Sequence, residues 1–219
     1  MPPPQEGCGG IDGVHFPLAI FALACIGSAA YSLFEACAPH RCSRPEETKD
    51  MNTVTVEPHQ VDAAFRAAMR RFASTVTIIT TADHERCHGM TATAVTSLSM
   101  DPPSLLICLN QKTLLHDIMF RARRFCVNVL HREQVGLSAA FSGAVPPAER
   151  FALGDWSRTE DGIPYLADAQ ANLFCRKAAA VPYGTHTIVV GQVEHVGLRD
   201  AIAPLVYQDA GYCVTSPAG

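Results

Sequence analysis

Between His88 and Asn110 the chain reads HGMTATAVTSLSMDPPSLLICLN. Small hydroxyl residues alternate with apolar ones, the pattern breaks at Asp101-Pro102-Pro103, and an almost wholly apolar run follows. A period of two belongs to an extended chain, whose successive side chains point to opposite faces. The stretch therefore predicts two strands parted at Pro102-Pro103, because proline cannot donate to a ladder. It sets Thr91, Thr93, Ser97 and Ser99 on one side and Met90, Ala92, Ala94, Leu98 and Met100 on the other. A strand built only for a core would carry Val and Ile inside, so the hydroxyl row calls for an explanation of its own.

The rest of the chain extends the pattern. Val61, Phe65, Ala68, Met69 and Phe72 recur at helical spacing and predict an amphipathic helix over VDAAFRAAMRRF. A strand is expected at 74–82, a helix at 113–123, a strand at 125–130 and a short helix at 133–142. A Gly- and Pro-rich connection, GAVPPAERFALGDWSRTEDGIPYL, leads to three further strand-like runs: ANLFCRKAAAV, HTIVVGQVEHVGL and PLVYQDAGY. Strands outnumber helices and do not alternate strictly with them, which argues against a doubly wound parallel sheet. The pattern predicts a mainly β fold, an antiparallel barrel closed or partly closed, with peripheral helices.

The first fifty residues are of another character. MPPPQEGCGG reads as disordered, and His15 to Phe34 then runs for twenty residues without an acid, Lys or Arg. That length spans a bilayer, and Arg41, Arg44 and Lys49 would keep its C-terminal side in the cytoplasm. No positive residue precedes the run, so it makes a poor secretory signal. The other reading is upstream translation with no selected role, because Met51 opens a stretch that makes a natural start for a compact domain over 51–219. Both readings stay open.

Charge and cysteine usage narrow the function. The formal net charge of −4 gives no reason to expect a polyanionic partner, and Arg121, Arg123 and Arg124 read as a solvated helix face rather than a nucleic-acid footprint. Cys8, Cys25, Cys37 and Cys42 precede Met51, while Cys87, Cys108, Cys126, Cys175 and Cys213 follow it with no regular framework spacing. A reducing compartment, the cytoplasm, is expected. HERCH (His84, Cys87, His88) and CAPHRC (Cys37, His40, Cys42) hold ligand-type residues, but neither has a second cluster to complete a site, so no metal is expected.

CLNQKTLLHD places Asn110, Lys112 and Thr113 where a strand gives way to a helix. Thr113 suits the helix N-cap, the free amides behind it favour an anion, and Lys112 adds a positive charge. A strand edge of hydroxyls and amides leading into such a start suits a flat polar heterocycle ending in phosphate, and Asn110 can both donate to and accept from an imide edge. Thr is also an ordinary strand residue and Asn-x-x-Thr an ordinary helix entry. No G-x-G-x-x-G opening a helix, Walker lysine loop or G-x-S-x-G elbow is present, so Rossmann, P-loop and the usual hydrolase chemistry lack support.

AMRRFASTVTIITT, HGMTATAVTSLSMDPPSLLICLN, RFCVNVL, ERFALGDW, GTHTIVVGQVEHV and PLVYQDAGY occur in that order. Together they resemble the short-chain flavin reductase family, over about residues 61 to 212. The resemblance implies an FMN-binding split barrel, antiparallel and Greek-key in type, usually a homodimer. It implies hydride transfer from NADH or NADPH to FMN or FAD, with reduced flavin passed to a separate flavin-dependent monooxygenase. By motif match Met90, Thr91, Thr93, Ala94 and Val95 line the flavin ring, Cys108, Leu109 and Asn110 continue that surface, and Lys112 and Thr113 lie near the phosphate. His186 and Tyr212 match the residues of the nicotinamide side. Two departures stand out: Thr185 replaces the family's Asp before the histidine, and Asp209-Ala210-Gly211-Tyr212 lacks the customary arginine. A flavin-binding storage or electron-transfer protein is the alternative. His186 can equally cap its strand from a turn and Tyr212 can equally be a barrel-rim residue, while His195, Phe125 and Trp156 read as sheet or packing residues.

Overall fold

A computed structural model of the chain describes residues 60–216. Helix α1 (Val61–Met69) leads into β1 (Ser74–Thr75), β2 (Thr77–Ala82), β3 (Cys87–Ala92), β4 (Val95–Met100) and β5 (Pro103–Asn110). Helix α2 (Leu114–Arg121), β6 (Arg124–Val129) and α3 (Val135–Ala139) follow, the last running on into a π-helical turn at Ala140–Ala144. A ribbon of β7 (Trp156–Arg158) and β8 (Pro164–Leu166) lies within the region expected to be irregular. Two long strands, β9 (Ala171–Tyr183) and β10 (His186–Leu198), precede the hairpin of β11 (Val206–Gln208) and β12 (Gly211–Cys213). The final run, read from sequence as one strand, is thus a hairpin, folded at Asp209-Ala210, where both residues have positive φ (47° and 61°).

Seven strands form one antiparallel sheet in the order β3-β2-β6-β9-β10-β5-β4. β3 and β4 are its opposite edges, yet only Thr93 and Ala94 separate Ala92 from Val95. Three Cα–Cα steps reach at most about 11 Å, so the two edges must meet. The sheet is therefore curled into a barrel that is split where the chain crosses from one edge to the other. His88 to Asn110 thus yields three strands, not two, because the alternation runs through Thr93-Ala94 with no proline or glycine to mark the break.

The barrel interior explains the inward residues. Met90, Ala92 and Val95, from both lips of the split, pack on one cluster that includes Ile79, Ile107, Leu109, Phe125 and Val127. Helix α2 closes that cluster with Leu115 and Met119. A fully buried side chain of this kind contributes roughly 1.5–3 kcal/mol. Gly191 is required by close approach: a Cβ there would run into the ring of Phe125. Gly89 serves likewise, since its Cβ would lie 2.6 Å from Phe141 Cε1. Phe141 anchors a second cluster under α3, where its ring meets Phe151 at 5.3 Å and Trp156 at 5.1 Å between centroids. Phe125 and Trp156 are packing residues, as their contexts predicted.

α1 forms at the expected place but buries none of its residues, and Phe65 and Phe72 are each 62% exposed. Among the described residues no helix is long and apolar enough to cross a membrane. The apolar run at 15–34, CAPHRC and the boundary at Met51 lie outside the described residues.

Candidate functional site at the split of the barrel

The β5–β10 ladder pairs Asn110 with His186, Leu109 with Thr187 and Cys108 with Ile188. Directly opposed residues share a face. Asn110, His186 and Cys108 therefore look outward, while Leu109 and Thr187 look inward; Leu109 is wholly buried. Leu109 can offer a ligand only its backbone, since its side chain belongs to the core. The same holds in part for Met90 and Val95, which pack on the interior. His186 is held from two sides, by Thr185 Oγ1 at 2.8 Å from Nδ1 and by Gln111 Nε2, which donates to its carbonyl at 3.0 Å.

Past the Val95–Ile107 pair, β5 outruns β4, and the Cys108 N–H donates to the Ala94 carbonyl at 3.1 Å. The chain then turns into α2 through a compact hydrogen-bonded knot. Asn110 Oδ1 accepts the Lys112 N–H at 2.9 Å, and the Asn110 carbonyl accepts both the N–H (3.1 Å) and the hydroxyl (2.8 Å) of Thr113. Thr113 is the N-cap of α2, its Oγ1 accepting the His116 N–H at 3.3 Å. The N–H groups of Leu114 and Leu115 have no partner among the described residues. The Leu114 amide on an exposed residue, the positive end of a helix and Lys112 make a donor set of the kind a phosphate requires, while Leu115 is wholly buried.

A second group gathers on the other lip. The Thr91 hydroxyl donates to the Ser138 carbonyl at 2.8 Å, and Ser138 Oγ lies 2.9 Å from Tyr212 Oη. The Tyr212 ring meets Tyr207 edge-on at 5.5 Å. Thr93 is exposed beside Tyr207 in a cleft against α1, and Ala94 is exposed at the crossing itself. The candidate residues thus fall into two groups, Thr91 with Tyr212 and Cys108–Thr113 with His186, joined by the Thr93-Ala94 crossing.

Electrostatics around β3 are set by a buried arginine. Arg150 is 9% exposed and donates to the carbonyls of Gly89 (3.2 Å) and Val145 (3.0 Å), which fastens the long connection to β3. Burial, and secondarily that guanidinium, push His88 down to about 4, so its imidazole is neutral. Burial also pushes Cys175 up to about 12 and Cys126 upward, leaving both thiols protonated. In HERCH, His84 is exposed and His88 is buried; among the described residues no three His, Cys, Asp or Glu side chains converge as metal ligands.

Sequence reasoning missed Ser138, Gln111 and Arg150. Ser138 and Arg150 carry no local signal, because their partners lie 74 and 61 residues away. Gln111 sits in the quoted helix entry, but its bond to His186 depends on β10 being the neighbour of β5.

A split barrel with this rim offers the donors and acceptors that a planar, phosphorylated ring would use. Residues 69–216 match the model of the flavin reductase-like domain. The reductase component of an FADH2-dependent resorcinol hydroxylase from Rhizobium sp. (strain MTP-10005) is 52% identical over 165 residues, covering 74% of this chain and 92% of that one. The FMN reductase (NADH) RutF of Stutzerimonas stutzeri is 41% identical over 148 residues, 68% of this chain and 85% of the relative. Among solved structures, the Streptomyces globisporus C-1027 NADH:FAD oxidoreductase SgcE6, in complex with NAD and FAD fragments, superposes with a TM-score of 0.68 at 28% identity. That match covers 74% of this chain and 96% of the other. The chain belongs to the flavin reductase-like domain family.

Proposed function

We propose that this chain is an NAD(P)H:flavin oxidoreductase that moves hydride from NADH or NADPH to FMN or FAD and hands reduced flavin to a separate monooxygenase. The observation that carries the reading is the opposition of His186 and Asn110 beside the phosphate-ready start of α2, in a chain of this family. The hydroxylase reductase component, with which it shares 52% identity, supports the monooxygenase partner.

The flavin, when bound, supplies the hydride acceptor; the chain supplies place and orientation. Met90 to Val95 and Cys108 to Asn110 bound the ring, with Leu109 contributing backbone. Asn110 Nδ2 is left to donate outward, since its Oδ1 is committed to Lys112. Lys112 and the Leu114 amide hold the phosphate, and Thr113 fixes that helix end. His186 positions the nicotinamide amide rather than delivering a proton. Tyr212, pinned through Ser138, borders the same pocket.

The missing Asp before His186 does not leave the imidazole loose, because the Thr185 hydroxyl binds Nδ1 in its place. That bond favours turnover over a storage or electron-transfer role. The proposal includes a homodimer: Tyr183 beside His186 is 81% exposed, a face that a second copy would bury. It also includes a catalytic domain at 51–219 behind an N-terminal extension, and a cytoplasmic location, supported by the free Cys87, Cys108, Cys126, Cys175 and Cys213. The test is nicotinamide oxidation followed with each flavin and each nicotinamide. Turnover supports the reading; stoichiometric flavin binding without turnover points to storage, and neither binding nor turnover overturns both.

A further inference from the structure

We propose that Gln111 is the positioning residue for His186, tying the turn that presents the imidazole to the segment that seats the flavin. The inference rests on the flavin reductase reading and adds to it a residue that acts through His186 rather than on a reactant.

His186 needs support from outside its own hairpin, because it stands where the sheet runs out. Its pairing with Asn110 is the last of the β5–β10 ladder. On the other flank β6 pairs with β9 only as far as Arg176, with one further bond from the Lys177 N–H to the Arg123 carbonyl at 2.8 Å. From Ala179 to Tyr183, β9 has β10 as its only strand neighbour among the described residues, and Val181 is 53% exposed. The turn at Gly184-Thr185 is exposed, with Gly184 at a φ of 56°. A hairpin end with few buried contacts opens readily unless something holds it.

Gln111 holds it. Its backbone N–H donates to the Thr185 carbonyl at 3.1 Å. Its side-chain Nε2 donates to the His186 carbonyl at 3.0 Å and to Thr187 Oγ1 at 3.5 Å. Thr187 Oγ1 also lies 2.9 Å from His116 Nε2 on α2. Thr185, His186 and Thr187 are thus all fastened to the entry and first turn of α2. The backbone bond would form with any residue but proline at 111, whereas the side-chain contacts need a donor of glutamine's reach. Thr185, once fixed by its carbonyl, in turn binds Nδ1 of the imidazole through its hydroxyl. Gln111 lies between Asn110 and Lys112, so the segment that places those two residues for the flavin places the imidazole as well. Hydride transfer asks the protein chiefly for orientation, and Gln111 sets the histidine's place relative to the flavin seat.

The experiment compares the full chain with its Gln111→Met, His186→Ala and doubly substituted variants, by steady-state turnover with NADH and FMN and by hydrogen exchange without flavin. Gln111→Met keeps the length of the side chain and removes its donor, and the residue is exposed, so the fold stays intact. Gln111→Met is expected to raise the NADH KM about threefold, with kcat and the FMN KM within about twofold of wild type. The double variant should be no worse than His186→Ala alone, because a residue that acts through the imidazole has nothing to position once it is gone. In the flavin-free chain, amides of the β9–β10 turn should exchange about threefold faster in Gln111→Met. An unchanged NADH KM, an equal rise in the FMN KM, additive losses in the double variant or unaltered exchange each overturn the proposal while leaving the parent reading standing. A wild-type chain idle with every flavin and nicotinamide overturns the parent reading, and this inference with it.

Discussion

His186 stands directly opposite Asn110 across the β5–β10 ladder, both side chains on the outer face of the barrel. Opposed Cβ atoms in such a pair lie about 4.5–5.5 Å apart. A residue assigned to the nicotinamide side and one assigned to the flavin side are therefore cross-strand neighbours, close enough for two stacked rings to touch both. Substituting His186 with Ala should raise the KM for NADH about fivefold, the worth of one hydrogen bond. Flavin affinity, measured by fluorescence titration, should stay within about twofold.

Asn110→Leu combined with Thr113→Ala attacks the other half. Loss of the N-cap costs about 1 kcal/mol of stability, which a barrel of this size tolerates. Flavin binding should weaken by at least about tenfold, because the double variant removes the outward amide donor and loosens the phosphate-facing helix start. Equal flavin affinity in a folded double variant would refute this placement.

The hairpin beside Tyr212 carries strain that a single substitution should relieve. Both central residues, Asp209 and Ala210, have positive φ, as a two-residue hairpin turn of this hand demands. An alanine held there costs about 1–2 kcal/mol, which glycine does not incur. Ala210→Gly should stabilise the fold by about 0.5–1 kcal/mol after its own loss of chain entropy. A rise in the urea midpoint with unchanged slope is the readout.

Acid sensitivity should trace in part to His88. An unfolded chain protonates this residue below about 6.5, whereas the folded one refuses the proton until about 4. Between those values the unfolded state binds more protons, so stability is whole above pH 6.5 and declines as pH falls. From pH 7 to pH 5 this one site should remove about 2 kcal/mol. Unfolding of His88→Gln at both pH values should show a decline smaller by about that amount.

The strands and helices were largely legible in the sequence, because Thr77–Ala82 is a β-branched run, Pro103–Asn110 an apolar run opened by proline, and Leu114–Arg121 buries Leu115, Ile118 and Met119 at helical spacing. The break at Thr93-Ala94 was not, since both residues continue the alternation on either side. Nor was the pairing order, which puts consecutive strands β3 and β4 on opposite edges of one sheet. The hydroxyl row received only part of its explanation from sequence. Thr91 spends its hydroxyl on the Ser138 carbonyl, and Ser99 donates to the carbonyl of Asp101 at 2.9 Å, closing its own turn. The helix entry at Asn110–Thr113 was readable because capping is local; the seating of His186 against it was not, because Asn110 and His186 lie 76 positions apart.

The most direct test is a crystal structure of the chain grown with excess FMN. The isoalloxazine should lie against Ala94, Cys108 and Asn110, with its phosphate at Lys112 and the first amide of α2. FMN bound elsewhere, or a rim filled by this chain's own side chains, would contradict the account.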